Sequence, residues 1–288
     1  MTHSFGIKTH CNQILDYLLN EFENSNISEL YISRNVFKVY PNIILHYIGN
    51  DVSSFYALVA NCLSNAIIKF YEHIVAKKII VSNYFYFSEL ERNEILEYCL
   101  KELNRTKKEQ VYRKNLIFTS CYEYVKENKI LILDGFLNFR LKNYIKVIDN
   151  TIDIVVDKFI VEREYNEFIS LLNMYVESKE PCSSTIHLIY TSRESTLFDE
   201  NRSLIDTSSH VFDAKYLSDI SFSSNDYALN TLLNLLPEKL YIHLRTSDLE
   251  DEFINTLKLI FTNRVITCTD CPICHLYHFS DLNLHKLT

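Results

Sequence analysis

Between Gly135 and Pro181 the chain runs from Phe136 to Glu180 without a glycine or a proline. Leu141, Ile145, Ile148, Ile152, Val155 and Phe159 recur there at helical spacing, and Phe168, Leu172 and Tyr175 resume it. Val156, Ile160, Val161, Tyr165, Ile169 and Val176 widen the apolar surface. A helix apolar on most of its sides is expected to be buried in the middle of a fold. Roughly 45 residues at about 1.5 Å each span more than about 60 Å, too long for one compact body of this size. The expectation is therefore a break at Asp149-Asn150-Thr151, with Asn150 capping a second helix that Pro181 ends.

Inside that second helix sit Glu162-Arg163-Glu164, with apolar turns before and after. Extending the stripe by 3.6 residues reaches Glu162 and Arg163, so Arg140, Glu162 and Arg163 form a candidate charged core site. A solvated rim or structural ion pair is the plainer reading. The same segment carries a resemblance. Gly135-Phe136-Leu137-Asn138-Phe139-Arg140-Leu141-Lys142-Asn143-Tyr144 and Val161-Glu162-Arg163-Glu164-Tyr165-Asn166-Glu167-Phe168-Ile169 resemble the YtxC-like family of endospore-forming bacteria. The resemblance covers about residues 80 to 274 and contains no catalytic motif. It implies a setting in sporulation and no assigned activity.

Three glycines in 288 residues remove several chemistries at once. A phosphate-binding P-loop, a dinucleotide fingerprint and a nucleophile elbow each need closely spaced glycines. A net charge of −8 argues against a generally nucleic-acid-binding surface. Met1–Thr9 lacks the basic start and apolar core of a signal peptide, and no run reaches the roughly 18 apolar residues of a membrane span. The expected location is the cytoplasm, where most of the eight cysteines would be buried thiols.

Taken in order, Phe5–Thr9, Glu29–Ser33, Val36–Tyr40 and Ile43–Ile48 read as strands, with a helix through Ile14, Leu18 and Phe22. A helix capped by Asp51 or Ser53 follows, running to about Val81 through Leu58, Cys62, Ala66, Phe70 and Ile74. Tyr84–Phe87 is an aromatic knot that can stack bases but more often plugs a core. Ser88-Glu89-Leu90-Glu91 is a capping box for a helix through Ile95, Leu96, Cys99 and Leu103. Lys101 to Lys114 holds six basic and two acidic residues, either a phosphate contact or a solvated helix junction. Val111, Phe118, Cys121 and Val125 mark a further helix, and Lys129–Leu133 a short strand.

Beyond Pro181 the pattern turns to strands at Thr185–Thr191 and Ser195–Phe198. Ser203–Ser224 has no assignable pattern, and a short helix capped by Asp226 ends at Pro237. Lys239–Leu244, a helix opened by a capping box at Ser247–Glu250, and Arg264–Thr267 make a βαβ unit with parallel strands. The architecture expected is α/β or α+β: a small N-terminal sheet with helices (1–130), a long helical middle (131–181) and a C-terminal βαβ-containing unit (182–288).

Cys268, Cys271 and Cys274 follow the last strand, with His275 and His278 beyond them. Cys-x2-Cys-x2-Cys opens a ferredoxin-type run but lacks its fourth cysteine. One imidazole added to the three thiolates makes a zinc site. Parallel strands bring their carboxyl ends together, so His243 at the end of one strand rivals His275 and His278 as that ligand. The family resemblance implies a histidine after this strand and a terminal cysteine group, which leaves His243, His275 and His278 as rival fourth ligands. Zinc is the expected metal ahead of an iron–sulfur cluster, and three metal-free thiols are the plainer alternative. The leading functional expectation is a non-enzymatic scaffold or interaction protein of sporulation with a protein partner. A metal- or thiol-dependent enzyme or redox sensor, and a nucleic-acid binder using Lys101–Lys114, are the rivals.

Overall fold

A computed structural model describes residues 3–25, 27–35, 41–191, 194–207, 223–245 and 248–276. The fold is mixed α/β with two sheets, and the chain divides into two compact units, Met1–Val161 and Glu162–Thr288.

The first unit opens with β1 (His3–Lys8), α1 (Asn12–Glu23), β2 (Leu30–Asn35) and β3 (Asn42–Tyr47). Three helices follow, α2 (Val52–Asn83), α3 (Glu89–Leu103) and α4 (Lys107–Glu127). Then come β4 (Ile130–Ile132), α5 (Leu133–Arg140) and the start of α6 (Lys142–Ser178). The sheet order is β2-β3-β1-β4, antiparallel except for the parallel β1–β4 pair. The expected strand at Val36–Tyr40 lies outside the described residues.

Start signals in this unit behave as their chemistry dictates. Asp51 accepts the Ser54 amide at the head of α2, and Ser88 and Glu91 form both bonds of the capping box on α3. The aromatic knot divides: Phe87 is buried against Phe159, whereas Phe85 and Tyr86 are exposed. The core is built around α2, whose Val59, Leu63, Ala66 and Ile67 are wholly buried. Burial in α4 falls on Arg113, Ile117, Cys121 and Val125, and Val111 is exposed.

The expected break at Asp149–Thr151 is absent. Residues 142–178 form one helix of 37 residues, and the interruption falls earlier, at Leu141 between α5 and α6. The length argument held both halves to a single body. Instead, the unit boundary falls inside α6, and each half packs in its own unit. Nor is α6 buried on most sides: in the second unit Ile169 and Val176 are buried, but Phe168, Leu171 and Met174 are exposed.

After α6, the second unit contains β5 (Ser183–Thr191), β6 (Glu194–Phe198), α7 (Ser224–Leu235), β7 (Pro237–His243), α8 (Glu252–Ile260) and β8 (Val265–Cys268). Its sheet order is β6-β5-β7-β8, with β5, β7 and β8 parallel and β6 antiparallel. The β7–α8–β8 crossover is thus the parallel unit read from the sequence. Ser223, not Asp226, is the N-cap of α7, and Asp226 is its capping-box partner. Leu236 turns left-handed to end that helix, and Pro237 begins β7. At α8, Ser247 lies outside the described residues, and Asp251 caps a helix that starts only at Glu252. Ile186, Leu188, Leu240 and Ile242 face a core shared with α7, α8 and the α6 residues Ile169 and Val176. No helix among the described residues is long and apolar enough to cross a membrane.

Candidate metal centre

Strand alternation decides what faces away from that core. With Ile186, Leu188 and Ile242 turned inward, His187 and His243 take the other face of the sheet. His243 is the last residue of β7 and pairs in register with Cys268, the last residue of β8. The Leu244 amide donates to the Cys268 carbonyl, which holds the two strand ends together. One helical turn over 272–276 follows, opened by Pro272, whose missing N–H costs nothing at that position. The turn brings Cys274 back over Cys271, with the Cys274 amide 3.4 Å from the Cys271 sulfur.

The result is a four-donor cluster of His243, Cys268, Cys271 and Cys274, all ligand atoms within 4.8 Å of one another. His243 Nδ1 lies 3.4 Å from Cys271 Sγ and 3.5 Å from Cys274 Sγ. Cys274 Sγ lies 3.6 Å from Cys271 Sγ and 3.9 Å from Cys268 Sγ. A tetrahedral ion with metal–sulfur bonds of about 2.3 Å and metal–nitrogen bonds of about 2.0 Å spaces its ligands about 3.8 Å (S–S) and 3.5 Å (S–N) apart. Four of the six edges match that figure. The sulfurs are too far apart for a disulfide, and all three cysteines are free. The cluster can therefore hold a metal ion.

The thiols' protons point the same way. Burial pushes the Cys271 thiol up, but hydrogen bonds from the Cys274 amide, the Cys268 and Cys274 thiols and the Ile273 amide outweigh it, and its pKa falls. Burial and the neighbouring thiolates push Cys274 up to about 12. A thiolate at Cys271 thus disfavours a second at Cys274, and a cation between them would relieve that repulsion.

His243 is buried, and its second nitrogen is occupied. Nε2 lies 3.0 Å from Nδ1 of His187, whose ring stacks on it at 5.2 Å between centroids. If Nδ1 lends its lone pair to a cation, Nε2 carries the proton and donates it to His187. Burial, followed by the charge of Arg202, holds the His187 imidazole below its usual pKa, which keeps it neutral and able to accept. His187 was missed in the sequence. Its alternation within β5 was readable, but the β5–β7 pairing that sets it beside His243 was not.

Of the three rival histidines, the geometry selects His243. His275 sits one residue past Cys274, turned away on the helical turn, exposed, with Nε2 2.7 Å from Asp270. His278 lies outside the described residues. The charged trio does not make a core site. Arg140 and Glu162 are exposed, and the half-buried Arg163 pairs with Glu167 at 3.7 Å, one turn along the same solvated helix. The buried charges belong instead to Arg113 and Glu72, joined by two bonds of 3.0 and 3.4 Å, with Tyr144 donating to Glu72. That leaves the Lys101–Lys114 stretch with one of its cations internal, and a second, Arg105, beside Glu102 and Glu109.

Comparison with known proteins assigns the chain to a family. The sequence pattern of the YtxC-like family matches residues 57–266. The chain belongs to the YtxC-like family. The match includes His187 and His243 and ends before Cys268, so three of the four donors lie beyond it; the resemblance read from the sequence extended to 274. A protein of Bacillus subtilis (strain 168) named uncharacterized protein YtxC is 22% identical over 170 residues, covering 57% of this chain and 59% of that one. The chain thus aligns with less than two thirds of that relative's length. No solved structure matches the chain.

Proposed function

We propose that this YtxC-like chain acts in sporulation by binding a partner protein, and that zinc at His243, Cys268, Cys271 and Cys274 is a structural staple of its second unit. The observation that carries the reading is the closed donor set. Four protein ligands at tetrahedral spacing leave no open position for a substrate or an activated water, which is how structural zinc sites differ from catalytic ones. A multi-iron cluster needs donors spread wider than one ion's coordination sphere, so a single ion fits better. Such an ion would join the ends of β7 and β8 to the turn at 272–276. The interaction reading draws support from Phe168, Leu171 and Met174, large apolar side chains left exposed along α6.

The test is metal content together with a visible spectrum on untagged protein purified without oxygen. The expected result is about one zinc per chain and no colour, with the zinc lost in Cys268→Ser. A brown, iron-containing protein would favour redox sensing. Metal-free protein with three freely titrating thiols would remove the staple altogether.

A further inference from the structure

Beside the metal loop lies a cavity of about 230 Å³. Its walls are apolar: Ile189 and Phe198 from β5 and β6, and Pro272, Ile273 and Leu276 from the turn that carries Cys274. Among the described residues its polar lining is His187 and Arg202, with no carboxylate.

Arg202 is held there at some cost. It is one of two non-glycine residues with positive φ among the described residues, at 64°. A tight turn fixes it: the Arg202 amide donates to the Asp199 carbonyl at 3.0 Å, and the Ser203 amide donates to Asp199 Oδ1 at 2.7 Å. A glycine would satisfy that backbone more easily, and the arginine instead places a guanidinium at the cavity. Its guanidinium has no carboxylate partner among the described residues. A planar fork of donors at an apolar cavity matches a carboxylate attached to an apolar body. The volume falls below the roughly 300–1,000 Å³ of drug-sized sites, so the ligand is small.

We propose that this cavity binds a small organic carboxylate, its charge on Arg202 and its apolar body against Ile189, Phe198 and Ile273. The ligand would touch Pro272 and Ile273 within the cysteine loop and His187 behind His243. It would therefore sit against the metal centre without entering it. The site goes beyond the zinc reading and stands on different residues.

The experiment uses the full chain as purified, with benzoate as probe and benzamide as its uncharged counterpart, followed by calorimetry or ligand-observed NMR. Benzoate is expected to bind saturably with a dissociation constant of about 1 mM, as suits a fragment-sized ligand. Benzamide and Arg202→Gly are each expected to weaken binding at least about tenfold, since each removes one half of the ion pair. Arg202→Gly also relieves the left-handed backbone, so a loss of binding there does not stem from a loss of fold. No saturation by about 10 mM benzoate, equal binding of benzamide, or unchanged affinity in Arg202→Gly would each overturn the proposal. Metal-free protein that still binds benzoate through Arg202 would sink the zinc reading and leave this one standing. Zinc-loaded protein that ignores benzoate would do the reverse.

Discussion

Each unit buries a polar centre, and the two are closed by opposite means. In the first, Arg113 and Glu72 supply both charges. Tyr144, Asn104 and the Leu103 carbonyl take up further hydrogen-bonding capacity around them. In the second, three thiols and an imidazole converge with no positive charge among them. A buried ion pair made by the chain is complete once the helices pack. A cluster of donors of one kind is complete only when a cation arrives from outside. On the zinc proposal, the difference is one of dependence: the first unit relies on its own packing, the second on metal supply.

The sharpest way to break this contrast is to remove the proposed metal. A strong chelator is expected to open β7, β8 and residues 268–276 to hydrogen exchange while α2 and β1–β3 stay protected. Structural zinc contributes on the order of 10 kcal/mol in small sites, so the effect should dominate local stability. Equal loss of protection in both units, or none in either, would end the comparison.

Next in size is the first unit's own centre. Glu72→Ala strands a buried guanidinium and is expected to cost about 3–5 kcal/mol in urea unfolding. The double substitution Glu72→Leu with Arg113→Met should recover most of that, because the unpaired charge is gone. A single variant costing under about 1 kcal/mol would show that solvent reaches Arg113.

A smaller effect sharpens the metal side. His187→Ala is expected to weaken zinc binding about 10- to 100-fold by competition with a chromophoric chelator, through loss of the acceptor that orients His243. His187→Gln, whose carbonyl can still accept, should restore part of it. An unchanged affinity in His187→Ala would show that the imidazole pair is only stacked.

The smallest test uses one motif in both settings. Ser88→Ala at α3 and Ser223→Ala at α7 each break a capping box and should each cost about 1 kcal/mol, read as local hydrogen exchange in that helix. A much larger loss at α7 would mean that the second unit is held more weakly throughout than its core suggests.

Local chemistry was legible wherever neighbours in the chain settle the outcome. The Asp51 cap, the Ser88–Glu91 box and the Cys268–Cys274 spacing all depend on contacts within a few residues. The Arg113 stripe was readable too, since Arg113 stands one turn before Ile117, Cys121 and Val125. It was passed over because an arginine is expected outside until a partner is known, and Glu72 lies 41 residues away.

What the sequence determined by itself is the inventory: strands, capped helices, three cysteines at metal spacing and a histidine at a strand end. Tertiary structure alone decided that α6 runs unbroken across two units, because whether a long helix must break depends on what packs beside each half. It alone chose His243 over His275, because strand register and the sense of one helical turn aim a side chain. It alone set His187 beside His243, since pairing β5 with β7 is a long-range choice that no local pattern encodes.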